Sequence, residues 1–148
     1  MKKFLYIFAL VSAILLASSC QKGGEQIVDE LVGDWHCTTQ ESGVQTDVYL
    51  GFAADGTFRM YQKIGDGPYW SSTGEYTMDA ESKVLSGVYS DRYPWKYSYK
   101  ISVNGRSLTM TAVELDTYVV RYERTSIPEA VLEKSVPLTK SESYERYL

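Results

Sequence analysis

The chain has 148 residues, a formal net charge of −4, and a composition that is 44% hydrophobic and 14% aromatic. Its length suits a single domain. The 15 basic residues do not cluster, which argues against a nucleic-acid partner and against electrostatic binding to an anionic lipid surface. Three kinds of partner remain: a membrane that is bound without electrostatic attraction, a small molecule, or another protein.

Residues 1–19 have the order of regions found in a secretory signal peptide. A basic start is followed by an apolar run over residues 4–16 and by the small residues 17–19. The run is shorter than the roughly 20 residues of a spanning helix, so we predict a leader and not a membrane helix. With Cys20 next, the pattern resembles a bacterial lipobox, although Ala17 stands where Leu is usual. The resemblance implies that Cys20 becomes the mature N-terminus and carries fatty acyl chains, such as palmitate, that anchor it in a membrane.

Residues 20–30 are polar and contain glycine, which predicts a flexible tether. Gln21 stands where an Asp often retains lipoproteins at the inner membrane. The resemblance therefore favours the outer membrane of the cell envelope, and leaves open whether the domain faces the periplasm or the surface. With Cys20 carrying lipid, Cys37 is alone and a disulfide within the chain is impossible. We predict a buried apolar role for Cys37; the alternative is a reactive or dimer-forming thiol.

Short alternating runs separated by turn residues fill residues 31–126, the pattern of an all-β barrel or sandwich. The clearest run is 95–103, where apolar residues at odd positions alternate with Lys and Ser at even positions, as in a strand with one buried face. Asn104-Gly105 then predicts a two-residue type I′ turn. Besides 95–103 and a strand around Trp35, the predicted strands are 46–52, 57–64, 69–78, 83–90, 108–112 and 117–125.

The eight predicted strands have no helical stretch between any pair, so they must form a sequential antiparallel meander. Closing that meander removes both open sheet edges. We therefore predict an all-β, eight-stranded antiparallel barrel over residues 31–126. Ser126 and Glu129 have the spacing of a capping box, which predicts a short helix to about Lys134 within residues 127–148. The remainder, 135–148, is predicted to be a loosely ordered polar tail.

Five short motifs in order resemble the lipocalin-like domain of small Gram-negative bacterial lipoproteins, a calycin-type barrel. The similarity runs from about residue 31 to residue 128, which is most of the mature chain. It implies a closed or nearly closed eight-stranded barrel. The motifs are Gly33-x-Trp35, Phe-Ala-Ala-Asp-Gly-Thr-Phe at 52–58, Gly74-x-Tyr76, Gly-Val-Tyr-Ser-Asp at 87–91, and Ile127-Pro128.

The same resemblance implies how the barrel closes. Lipocalins pack an arginine of the last strand across the opening tryptophan, a cation–π contact. Here Arg124 and Trp35 would form that pair, because Arg124 shares its strand parity with the apolar residues and Arg121 does not. The alternative is that Arg124 is a solvated charge at a strand end.

The sequence offers no catalytic or metal-binding pattern. His36 is the only histidine, and it cannot form a His-rich metal site. It neighbours Cys37 in a strand, where adjacent side chains point to opposite faces, so the two are unsuited to nucleophilic catalysis. We therefore predict a protein that is not an enzyme and needs no cofactor.

Seven aromatic residues are the candidates for a binding site. They could line a cavity that stacks on a small apolar or aromatic ligand, or they could simply fill the narrow interior of an eight-stranded barrel. The first alternative predicts a non-catalytic binding lipoprotein. The second predicts a structural lipoprotein that docks another envelope protein through outward tyrosines (Tyr49, Tyr61, Tyr89, Tyr93, Tyr144 and Tyr147). The seven candidates are Trp70, Tyr76, Trp95, Tyr97, Tyr99, Tyr118 and Tyr122.

Overall fold

The computed structural model describes residues 28–138 and 146–148, so the predicted signal peptide, Cys20 and Tyr144 lie outside the described residues. Residues 28–31 form a helical turn, which includes the last three residues of the predicted tether. Within the described ranges, no helix is both long enough and apolar enough to cross a membrane. The strands are β1 (Gly33–Glu41), β2 (Val44–Phe52), β3 (Thr57–Ile64), β4 (Trp70–Asp79), β5 (Val84–Tyr89), β6 (Tyr99–Asn104), β7 (Ser107–Ala112) and β8 (Val119–Arg124), followed by the helix α1 (Glu129–Lys134) and the short strand β9 (Val136–Pro137).

The first eight strands close into a ring. Each pairs antiparallel with the next one in sequence, and β1 completes the ring by pairing with β8, where Trp35 lies opposite Arg124. The predicted all-β, eight-stranded antiparallel meander barrel with a short C-terminal helix is thus confirmed. We call the end where β1 begins the lower end, and the end where β1 finishes and β2 starts the upper end.

The strand alternation places one face of every strand inside the barrel. Trp35, Tyr99 and Tyr122 are the largest fully buried side chains. Gln62, on the inward face of β3, is the buried polar residue of the core and is 1% exposed. Cys37 is buried as a free thiol, as predicted.

The predicted strand 95–103 begins four residues too early. Residues 95–98 are not in a strand, and β6 starts at Tyr99. The Trp95 amide donates to the carbonyl of Gly87 at 2.9 Å, which holds the indole against β5. A Cβ at Gly87 would lie 2.2 Å from the Trp95 ring, so only glycine leaves room for the indole. Tertiary packing of one aromatic side chain therefore overrides the alternation.

The C-terminal region also differs from its prediction. The helix ends at Lys134 as expected, but it starts at Glu129 with Pro128 at the N-cap and no side-chain capping bond, so the capping box at Ser126 is wrong. A proline fits there because the first helical turn needs no donor from it. Beyond the helix, β9 pairs parallel with β4, Val136 opposite Trp70. Arg146, Tyr147 and Leu148 pack against the upper end of the barrel, so the described parts of the tail are ordered.

Candidate functional site

A cluster of tyrosines occupies the upper half of the barrel interior. Tyr99 and Tyr122 are each 1% exposed. The Tyr99 hydroxyl and Nε1 of the buried Trp95 lack a hydrogen-bond partner among the described residues, and the Tyr122 hydroxyl has only the weakly accepting sulfur of Cys37 beside it. Burial holds the pKa of both tyrosines above the ordinary value, and the neighbouring Tyr118 hydroxyl adds to the effect. The interior at this level therefore presents polar atoms that nothing described pairs.

The aromatic rings around these atoms form a continuous series. The ring centroids of Trp95 and Tyr99 are 6.2 Å apart, those of Tyr97 and Tyr99 6.3 Å, and those of Tyr97 and Tyr118 5.7 Å. Tyr97 and Tyr118 are partly buried and pack against the core. The structure thus brings together five of the seven predicted ligand-binding residues: Trp95, Tyr97, Tyr99, Tyr118 and Tyr122.

Two of the predicted site residues lie apart from this group. Tyr76 is buried at the lower end, where its hydroxyl donates to the carbonyl of Ala53 at 2.7 Å and its ring meets Phe52 edge-on at 5.1 Å. Tyr76 therefore does not belong to the tyrosine cluster. Trp70 is half-buried at the upper rim, opposite Gln62 in the β3–β4 register.

Residues 146–148, which we call the C-terminal strap, are seated on the upper end. The Arg146 guanidinium donates two hydrogen bonds to the Asp91 carboxylate, at 3.0 and 2.5 Å, and its Cζ lies 4.3 Å from the centre of the Tyr89 ring. The hydrogen bonds to Asp91 raise the pKa of Arg146. A bidentate ion pair on an aromatic face is a cation site of defined geometry.

The next two strap residues reach the interior. The Tyr147 amide donates to Oε1 of Gln62 at 3.0 Å, and the Cys37 thiol lies 3.9 Å from the Tyr147 hydroxyl. Leu148 is 2% exposed, and its main-chain oxygen accepts a hydrogen bond from the Tyr89 hydroxyl at 3.0 Å. Burial raises the pKa of the Cys37 thiol to about 12. The strap therefore covers the tyrosine cluster and places one apolar side chain fully inside the protein.

Tyr89 and Tyr147 were predicted to be exposed, and both predictions are wrong. Tyr89 is 4% exposed because it shares the inward face of β5 with Gly87, and Tyr147 packs against the core. Sequence reasoning also missed Asp91, Arg146 and Leu148, since their contacts join distant parts of the chain. One signal was available: Gln62 follows Phe58 and Met60 at the next inward position of β3, where a buried amide requires a partner.

The lower end is closed by the predicted pair. Cζ of Arg124 lies 4.1 Å from the centre of the Trp35 ring, and Nη1 donates to the carbonyl of Val32 at 2.9 Å. Trp35 Nε1 donates to the carbonyl of Leu31 at 2.8 Å. Gly33 has a φ of +131°, and a Cβ there would lie 2.5 Å from Nη1 of Arg124. Glycine thus allows the arginine to lie flat across the first strand.

A polar cluster surrounds Asp47 on the outer face of the barrel. Its Oδ1 accepts hydrogen bonds from Thr38 at 2.8 Å and is 2.6 Å from His36 Nε2, and its Oδ2 accepts from Tyr69. Burial alone would raise the pKa of Asp47, but these hydrogen bonds outweigh it and lower the pKa. His36 also stacks on Tyr49 at 4.3 Å. Both oxygens of the Asp47 carboxylate are thus satisfied by neighbours, and no set of three or more potential ligands among the described residues could hold a metal ion.

An open groove of about 820 Å³ crosses the outer face near the lower end of β1. Arg59 Nη2 lies 3.0 Å from Oδ1 of Asp34 across the bare backbone of Gly51. On the far side of the groove, the hydroxyls of Thr73 and Ser90 are 2.8 Å apart. The groove therefore has polar groups along its open face and the apolar rings of Phe58 and Tyr89 in its wall.

These features define the class of protein as a closed, eight-stranded antiparallel barrel, compatible with a lipocalin-like fold, with a covered polar and aromatic interior at one end. No protein-family model matches the chain, and no curated protein matches it.

Proposed function

We propose that this protein is a non-catalytic lipoprotein of the cell envelope whose lipocalin-like barrel binds a small apolar or aromatic ligand at its upper end. The N-terminal sequence supports the anchor at Cys20 and an outer-membrane location. The closed barrel supports a lipocalin-like domain. The position of the tyrosine cluster beneath the C-terminal strap supports the place of binding.

One observation carries the binding proposal: the Tyr99 hydroxyl and Trp95 Nε1 are buried without partners among the described residues, and the buried Tyr122 hydroxyl has only the Cys37 sulfur beside it. Leaving a buried polar group unpaired costs about 1–3 kcal/mol. Two unpaired groups and one weakly paired group in one interior are a substantial cost, which a bound molecule with matching donors or acceptors would remove. Aromatic walls with a few polar atoms are the usual lining of a small-molecule site.

The test is a fluorescence titration with 8-anilinonaphthalene-1-sulfonate, a small aromatic anion. We expect saturable one-to-one binding. Tyr122→Phe and Tyr99→Phe should each weaken it about two- to tenfold, the equivalent of one hydrogen bond, without loss of stability. Tyr61→Phe, on the outer face of β3, is the matched control. Absence of saturable binding, or an equal effect of the control, would contradict the proposal.

The anchor is tested separately. Cys20→Ala should leave an uncleaved precursor and abolish metabolic labelling with a fatty acid, because no other residue can take the thioether-linked lipid. Cys37→Ala is the matched control and should mature and be labelled normally. A Cys20→Ala chain that matures and is labelled like the parent would remove the basis for the envelope location.

Docking of another envelope protein is a second candidate function, and the outer groove favours it. The groove lies on the outer face of the barrel and is open to solvent. It carries the Arg59–Asp34 ion pair and the hydroxyls of Thr73 and Ser90. A photoreactive residue at position 59 in intact cells should give one defined cross-linked product if the groove docks a protein. The photoreactive residue placed at position 121 instead, on the exposed face of β8, should give no cross-linked product.

A further inference from the structure

We propose that the upper end of the barrel is a peptide-binding site for a segment with the chemistry Arg-Tyr-Leu, and that the C-terminal strap is the chain's own, displaceable occupant of it. This inference rests on the proposed function and names its ligand class. Three sets of contacts carry it: one to the Arg146 guanidinium, one to main-chain atoms of the strap, and one to the side chains of its last two residues.

The first is a cation site at the mouth. Asp91 and Arg146 are both largely buried, at 21% and 17% exposure of their side chains, and they make a bidentate pair over the Tyr89 ring. Such a site matches the planar fork of a guanidinium better than the point charge of a lysine. The outermost position therefore selects arginine.

The second set consists of hydrogen bonds to main-chain atoms of the strap. Oε1 of Gln62 accepts the Tyr147 amide, and the Tyr89 hydroxyl donates to the main-chain oxygen of Leu148. Gln62 is 1% exposed, and Tyr89 is 4% exposed. A buried acceptor for the N–H of one residue and a buried donor for the main-chain oxygen of the next residue suit a peptide.

The third set accommodates side chains. The Tyr147 phenol lies beside the Cys37 thiol, with 3.9 Å between its hydroxyl and the sulfur, and it packs against the buried core. Leu148 is buried among core residues. The inner positions thus accept one phenol and one aliphatic side chain.

The strap belongs to the same chain, so it competes with any peptide added from outside. A tethered segment acts at an effective concentration far above that of a dilute free ligand. Disabling the strap should therefore tighten the apparent binding of an added peptide, and this increase is specific to a site that the strap itself occupies.

The experiment titrates the peptide acetyl-Arg-Tyr-Leu into the full chain and into a variant that combines Arg146→Ala, Tyr147→Ala and Leu148→Ala, with chemical-shift changes of the Trp95 indole as the readout. We expect saturable binding to the variant and at least tenfold weaker binding to the parent chain. Adding Asp91→Asn to the variant should weaken binding at least fivefold. Acetyl-Glu-Tyr-Leu is the control peptide and should bind at least tenfold more weakly than acetyl-Arg-Tyr-Leu.

Equal binding to parent and variant, or no preference for arginine over glutamate, would overturn the inference. If the triple variant does not fold, Arg146→Ala alone serves, since it removes only the outer ion pair; the peptide should bind it more tightly than the parent, and unchanged binding would overturn the inference. A variant that binds the naphthalenesulfonate probe but not the peptide refutes the peptide site alone. A variant that binds neither refutes the proposed function as well.

Discussion

Arg124 joins the first and last strands of the barrel through several contacts at once. It covers the Trp35 ring and donates to main-chain carbonyls of Val32 and Glu30, which precede β1. A desolvated cation–π contact contributes about 2 kcal/mol. Arg124 therefore connects β8 to β1 and to the residues that precede β1. Its loss should weaken the closure of the barrel as well as the local packing.

We expect Arg124→Ala to lower the free energy of unfolding by about 2 kcal/mol or more. Arg121→Ala, on the exposed face of the same strand, should change it by no more than about 0.5 kcal/mol. Urea denaturation of the two variants followed by tryptophan fluorescence makes the comparison. Similar, negligible changes in both would show that the contact contributes nothing to closure.

Gly87 is a second position where one residue decides the local structure, because the Trp95 indole lies directly on its backbone. Gly87→Ala should destabilise the protein by about 1–3 kcal/mol through overpacking. The loss should be smaller in a Trp95→Leu background, where the indole is absent, and a double-mutant cycle measures that coupling. Ser102→Ala, on the exposed face of β6, is the control for an innocuous change in a neighbouring strand. A coupling of zero would mean that the indole does not depend on the glycine.

Among the elements, the β5–β6 and β1–β8 junctions have the fewest paired residues in the barrel wall. At the first of these, β5 and β6 pair only at Val84–Lys100 and Leu85–Tyr99, and beyond those pairs Trp95, which precedes β6, bonds to Gly87 of β5 and covers the gap. By contrast, β1 and β2 pair along their whole length. Few cross-strand hydrogen bonds mean a low cost of local opening.

Hydrogen exchange followed by mass spectrometry should register this difference. Peptides that cover residues 84–100 should take up deuterium faster than peptides that cover residues 33–52 at neutral pH. The Trp95→Leu variant should widen the difference, because the seal is lost. Equal protection of the two regions would contradict the assignment of a weak junction.

The sequence predicts most elements because their signals are local. Alternation locates β1 to β8, and Asn104-Gly105 marks the hairpin between β6 and β7. It fails where a distant contact decides the conformation: Trp95 leaves the strand to cover Gly87, and the helix starts at Glu129 although Ser126 has the capping spacing. Tyr89 was assigned to the wrong face because Val84, Leu85 and Val88 make both faces of β5 apolar.

At the scale of the whole molecule, the sequence predicts five aromatic residues of the site but not how it is covered. The parity of β6 and β8 places Tyr99 and Tyr122 inside. The strap contacts join Arg146 to Asp91 and Tyr147 to Gln62, pairs that are 55 and 85 residues apart in the chain, and three residues in a polar tail carry no periodic signal. Contacts of that kind follow from three-dimensional complementarity, which local patterns do not encode.

The buried thiol and tyrosines make the whole fold sensitive to alkali. Burial raises the pKa of Cys37 from 9.0 to about 12, so above pH 9.0 the unfolded chain releases a proton that the folded chain keeps. The contribution of Cys37 to stability is fully present below pH 9.0 and is lost as the pH rises toward 12, by at most about 1.4 kcal/mol per pH unit. Tyr99 and Tyr122 add losses of the same sign above pH 10.0, their ordinary pKa.

We therefore expect the free energy of unfolding to fall between pH 9 and pH 10, and the fall to be shallower in Cys37→Ala, which has no thiol to ionise. Urea denaturation at pH 8, 9 and 10 gives the change in unfolding free energy with pH for both proteins. Replacing Cys37 by alanine also leaves a small cavity, but the cavity lowers the free energy equally at each pH and so does not alter the slope. Ser102→Ala, on the exposed face of β6, removes no ionisable group and should leave the slope unchanged. Identical slopes for the parent and Cys37→Ala would show that the thiol ionises equally in both states.

The pairing of β1 with β8 sets a condition on how the chain is made. When β1 has left the ribosome, β2 can cover one of its edges almost at once, but the other edge waits for the last strand of the ring. Until Arg124 arrives, that edge remains available to any other extended chain nearby. Any chain that has not yet delivered its last strand to the folding domain therefore exposes this edge, and two such incomplete copies can pair with each other along it.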